Sequence, residues 1–137
     1  MSYDLMVFAP EAAPKDHESF LEWYEAQTQW TEPHRYDNPE VATTQLRSWF
    51  MDMIQSFPPM NGPFAPEDPV DESTTTDYSV GNFVIYSGFA WSKAEQAYET
   101  MFRLAKKHGV GFFNASSPEP EVWFPDGNGE LVRAQSK

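Results

Sequence analysis

Six apolar side chains recur at helical spacing between Leu46 and Phe57, the clearest periodic signal in the chain. Leu46, Trp49, Phe50, Met53, Ile54 and Phe57 stand at i, i+3, i+4, i+7, i+8 and i+11, one stripe of a 3.6-residue period. The stripe predicts a core-facing helix, with Thr43 and Thr44 as candidate caps and Pro58-Pro59 as its stop. A second helical stripe, Phe20, Leu21, Trp23, Tyr24 and Gln27, runs from about Asp16 to near Trp30. A third carries Ala94, Ala97, Tyr98, Met101, Leu104 and Ala105 on one face. Its start reads as a capping box, Ser92-Lys93-Ala94-Glu95, and its end has Arg103, Lys106 and Lys107 before Gly109 at the left-handed C′ position.

Between the helices the pattern shortens to runs rich in aromatic and branched residues, which predict strands. These are Tyr3–Phe8, Asp77–Val80, Phe83–Phe89, Val110–Asn114 and Glu121–Phe124, with Gly81-Asn82 as a hairpin turn. Residues 32–39 are loop, and Pro125-Asp126-Gly127-Asn128-Gly129 is a turn before a polar tail. The stretch PPMNGPFAPEDPVDESTTT, residues 58–76, has five prolines and no period. Loops of that length inside a compact domain are functional or disordered.

The order β-α-α-β-β-α-β-β predicts one α+β domain over residues 1–129 and a flexible tail over 130–137. The expected architecture is a ferredoxin-like antiparallel sheet with helices on one face. Phe83, Ile85, Phe89, Phe112 and Trp123 mean that several strands carry apolar or aromatic side chains on either side, which leaves the open face to pack on the chain's own loops, a second copy or a partner.

Charge narrows the functional classes. Asp and Glu number 21 against nine Lys and Arg, a net charge of −12, which repels nucleic acid and anionic membrane and attracts basic partners. With no cysteine, thiolate chemistry and cysteine-ligated metals are excluded. No apolar run reaches membrane-span length and the N-terminus lacks a signal-peptide core, so a cytoplasmic location is expected.

No residue pattern predicts a reactive centre, a metal site or a cofactor. His17, His34 and His108 fall in no ligand spacing, the carboxylate pairs Glu22/Glu25, Glu67/Asp68 and Asp71/Glu72 lack rigid support across a cleft, and no nucleotide-binding glycine pattern occurs. What stands out is a window. From Arg47 to Lys93 no cation intervenes, while Asp52, Glu67, Asp68, Asp71, Glu72 and Asp77 fall inside it, and Met60, Phe64 and Val70 alternate with polar residues. Carboxylates interleaved with apolar anchors suit capture of a basic protein surface. The candidate partner-binding residues are Trp30, Tyr36, Phe64, Glu67, Asp68, Asp71, Glu72 and Asp77; a merely solvated acidic loop accounts for the acids equally well.

The segments YDLMVFAP, LRSWFMDMIQSFPPMNGP, LAKKHGVGFF and EVWFP resemble a group of small uncharacterised bacterial proteins of similar length. In size, acidity, absence of cysteine and lack of a catalytic motif, the chain is also similar to the immunity proteins of polymorphic toxin systems, such as Rhs, type VI secretion and contact-dependent inhibition. That resemblance implies a non-enzymatic protein that neutralises a cognate basic toxin domain by stoichiometric binding in the cytoplasm, monomeric or homodimeric when free. The competing expectation is a ferredoxin-like dimer that holds a small ligand or uses His34 or His108 in acid–base chemistry, and a housekeeping role stays open.

Overall fold

The computed structural model describes residues 2–68 and 71–134. Val70 and the end of the tail, residues 135–137, lie outside the described residues. Six strands, Tyr3–Phe8 (β1), Asp77–Val80 (β2), Val84–Phe89 (β3), Gly111–Asn114 (β4), Glu121–Pro125 (β5) and Leu131–Arg133 (β6), form one open sheet in the order β2-β3-β1-β4-β5-β6. Every neighbouring pair is antiparallel. Three helices accompany it: His17–Gln27 (α1), Thr44–Met53 (α2) and Ala94–His108 (α3).

Alternation along the strands explains how the helices distribute. Leu5 and Val7 of β1, Tyr78 and Val80 of β2, Ile85 and Phe89 of β3 and Phe112 of β4 point to one face, where they pack with Leu46, Trp49, Phe50 and Met53 of α2 and Ala97, Met101, Leu104 and Ala105 of α3. Met6 and Phe8, Val84, Phe113 and Val122 point to the other, against Phe20 of α1, with Trp23, Tyr24 and Phe124 around them. Both faces of the sheet are thus apolar, as strands covered on two sides must be. This corrects the expectation of helices on one face: α1 packs on the second face through Phe20.

Local chemistry sets the ends. Asp16 caps α1, its carboxylate accepting from the Ser19 amide at 3.0 Å, and the Thr43 hydroxyl accepts from the Leu46 amide at 3.3 Å to cap α2. The stripe of α2 runs past the helix: regular structure stops at Met53, and the Phe57 amide donates to the Met53 carbonyl at 2.9 Å in a final turn that still buries Phe57. The capping box at Ser92 does not form. A 3-10 turn over Trp91–Lys93 leads directly into α3, and neither it nor the helix takes a side-chain cap; the Lys93 amide donates to the Ala90 carbonyl at 2.9 Å instead. Gly109 ends α3 at φ +66°, the left-handed position its place predicts.

The sheet also reaches further than the sequence suggested. Asp126 accepts from the amides of Asn128 and Glu130 at 2.7 and 3.2 Å, closing a turn that returns Leu131–Arg133 onto β5 as β6. Leu131 is buried in the α2/α3 core, so the domain extends through Arg133. One inward leucine amid polar residues is too little pattern to predict a strand. Among the described residues, no helix is long and apolar enough to cross a membrane.

Candidate functional site

A cavity of about 1050 Å³ opens beside β2, one of the two edge strands of the sheet. Its walls are two loops, His34–Asn38 and Asn61–Pro63, and its floor is the backbone of Asp77, Tyr78 and Ser79. Each wall is held by interactions far apart in sequence.

The first wall is organised by Glu32. Its carboxylate accepts from His34 Nε2 and from the Asn82 amide, the latter at 3.0 Å, tying the loop to the β2–β3 turn. The Glu32 amide donates to the Tyr36 hydroxyl at 2.7 Å, and the Tyr36 carbonyl accepts from the Val80 amide at 2.8 Å. His34 Nδ1 faces the Arg35 carbonyl at 2.8 Å. Both ring nitrogens therefore meet acceptors, which favours the doubly protonated imidazolium. The Arg35 carbonyl first, then the Glu32 carboxylate, raises the His34 pKa above the ordinary imidazole value. With both ring nitrogens bonded within the chain, His34 acts as a clamp on this loop.

A pH dependence follows. A histidine whose pKa is higher folded than unfolded contributes stability that is complete below about pH 6.5 and lost as pH rises through the folded value. Urea midpoints of the wild type should fall from pH 6 to pH 8 by more than those of His34→Gln. Equal slopes would show that the clamp is not protonated.

The second wall depends on one glycine. Gly62 has φ +88°, and a Cβ there would stand 2.5 Å from the Asp37 carbonyl oxygen, so the two loops approach more closely than any side chain at position 62 permits. Residues 60–75 leave and re-enter at one point: the Met60 amide donates to the Thr76 carbonyl and the Thr76 amide to the Pro58 carbonyl, both at 2.9 Å. Asp71 shapes the loop inside that closure, accepting from the Ser73 hydroxyl at 2.6 Å and amide at 2.9 Å. Those bonds lower its pKa, with Lys93 adding a smaller pull.

The eight candidate residues divide. Tyr36 and Asp77 line the cleft. Glu67, Asp68, Asp71, Glu72 and Asp77 are exposed, and among the described residues none of them is in an ion pair. Phe64 is 41% exposed and meets Phe50 edge-on at 6.1 Å, so part of its ring is available at the surface. Trp30 is half-buried at φ +56°, its ring 5.1 Å from Tyr36 and 6.3 Å from Tyr86. An unusual backbone angle held by two ring contacts makes it a plug between the α1–α2 connection and the sheet.

The bond from Glu32 to the Asn82 amide and the edge backbone of β2 carry no sequence signal, because the first spans 50 residues and the second consists of backbone groups. Glu121 accepts from Tyr98, Asn114 and Trp123 at 2.8, 3.2 and 3.4 Å, a network that joins α3 to β4 and β5. The other histidine considered for chemistry, His108, bonds Asp52 at 2.6 Å beside Lys107 at 2.9 Å, joining α2 to α3. Lys107 and then His108 hold the Asp52 carboxyl below its ordinary range. Among the described residues, no group of three or more His, Asp or Glu is placed to hold a metal ion. No family model, curated protein or solved structure matches this chain.

Proposed function

We propose that the chain is a cytoplasmic protein-binding inhibitor of the immunity type, which neutralises a basic toxin domain by stoichiometric contact through the acidic loop and the β2 edge. The observation that carries this reading is the exposed group Glu67, Asp68, Asp71 and Glu72 on a loop pinned at both ends by Thr76, followed by Asp77 at the start of β2, none of them in an ion pair among the described residues. A pinned loop loses less conformational freedom on binding than a free one, and carboxylates outside any ion pair keep their charge for a partner. Phe64 supplies exposed aromatic surface beside them.

Geometry also bears on the finer fold. The run β4-β1-β3-β2 within the sheet, with α2 and α3 on one face, supports a ferredoxin-like core, to which β5 and β6 add an edge hairpin and α1 a cover on the opposite face.

Reversing charge with Asp71→Lys and Glu72→Lys together should slow association with the toxin domain encoded beside this chain on the order of tenfold at low salt and flatten the dependence of the rate on ionic strength. Stopped-flow kinetics reads both quantities. An unchanged rate with unchanged salt slope would remove the acidic loop from the interface.

A further inference from the structure

We propose that the cleft beside β2 takes an extended stretch of a basic partner's backbone, bound by strand addition at Tyr78. This rests on the protein-binding reading above and specifies how the partner is gripped.

The inference comes from the direction of the backbone groups along the edge. In an antiparallel strand, both polar groups of one residue point the same way and those of the next residue point the other way. Thr76 turns its amide and carbonyl outward to Pro58 and Met60, and Val80 turns its amide outward to Tyr36. Tyr78, midway between them, must also face outward, because Asp77 and Ser79 face β3. Among the described residues its amide and carbonyl have no backbone partner on that side, and Tyr78 lines the cleft. Its side chain contributes nothing there: the ring is in the core and its hydroxyl donates to the Phe57 carbonyl at 2.6 Å. What Tyr78 offers is one donor and one acceptor at strand spacing, the pair that an extended peptide matches.

The dimensions limit the occupant. Thr76 to Val80 spans roughly 13 Å at about 3.3 Å per residue, and both ends are already taken by backbone. The slot therefore admits one residue's pair of hydrogen bonds, with the incoming chain leaving outward on either side. Charge decides between occupants. Asp77 is exposed at the slot, and the one arginine of the wall is engaged with Asp37 at 2.9 Å. A second copy of this chain would set Asp77 near Asp77 between molecules of net charge −12, whereas a lysine- or arginine-bearing strand meets the Asp77 carboxylate at the slot and is drawn by the charge of the whole molecule.

The test is NMR on the whole protein. In the free protein the Tyr78 amide should exchange with solvent at least tenfold faster than those of Thr76 and Val80. Acetyl-Lys-Val-Lys-Val-Lys-amide, added at low salt, should shift and protect the Tyr78 amide. Two versions of this probe, N-methylated on alternate residues, keep its charge and each lose the N–H groups of one edge. One of the two should bind about fivefold more weakly, the usual worth of one net hydrogen bond, and leave Tyr78 unshifted. Shifts confined to residues 67–72, with no effect of methylation, would overturn strand addition and leave the acidic-loop reading standing. A Tyr78 amide already protected in a monomeric protein would do the same, and concentration-dependent dimerisation that protects Tyr78 would assign the slot to a second copy. Absence of any peptide binding at low salt would count against both readings.

Discussion

Replacing Phe20 with alanine should cost roughly 3–5 kcal/mol of folding stability, a large share of the ~5–15 kcal/mol that holds a domain of this kind together. Phe20 is the one fully buried side chain of α1. Its ring meets Phe8 at 4.8 Å, Phe113 at 5.3 Å and Trp23 at 5.6 Å. It is therefore the residue through which α1 is attached to the second face of the sheet. Urea unfolding of Phe20→Ala should show the full loss. A fluorescent dye that binds exposed apolar surface should light up on the variant under native conditions, because loosening α1 uncovers Met6, Phe8, Val84 and Phe113 together. A cost below about 1 kcal/mol would mean that α1 does not cover the sheet.

That cover explains where the sequence could be read and where it could not. The stripe Leu46 to Phe57 announced α2 because its apolar side is sharply separated from its polar side, and Gly109 announced the end of α3 because a left-handed residue was needed there. Helix α1 was recognised as a helix, but which face it occupies is a tertiary fact: Phe20, Trp23 and Tyr24 would suit either side of the sheet. The decisive hint was the double-sided apolar character of β1 and β3, which is what strands buried on two faces require. The Ser92 box failed because its spacing is satisfied by many sequences, and a 3-10 turn stands at the start of α3 instead, bonding the Lys93 and Ala94 amides to the carbonyls of Ala90 and Trp91.

The site was legible in its charge and illegible in its shape. The acidic window could be read directly, since exposed carboxylates need no partner to be placed at a surface. The sequence does not reveal that Tyr36 and Tyr86 lie beside Trp30, because both are placed there by the tertiary fold. The cleft depends on the Glu32 clamp, on the contact of Gly62 with Asp37, and on the Tyr78 backbone, whose donor and acceptor exist in every residue and leave no trace in the identity of any. The two levels meet at Asp77, which belongs both to the acidic window and to the slot wall. Long-range charge would bring a basic surface to this edge, and the strand register would then hold one segment of it in a defined direction.

Gly111→Ala should destabilise the fold on the order of 3 kcal/mol, through a clash that a second substitution can relieve. Gly111 pairs with Phe8 across β4 and β1, and the Phe8 ring lies directly over it: a Cβ at position 111 would stand 2.2, 2.3 and 2.6 Å from three ring carbons. The ring has no room to withdraw, because Phe20 at 4.8 Å, Phe124 at 5.2 Å and Trp23 at 6.1 Å surround it. Overpacking of that kind costs roughly 1–3 kcal/mol and more where neighbours cannot shift, so the upper end applies. Phe8→Leu alone also destabilises, since it removes ring contacts and leaves space above Gly111. Combined, the two changes should compensate, the branched leucine making room for the new methyl group, and the double variant should be more stable than the sum of the single losses predicts by at least about 1 kcal/mol. Urea denaturation of the four proteins measures this coupling. Additive losses would show that the methyl group and the ring do not compete for the same space, and that the glycine is required there for some reason other than the approach of Phe8.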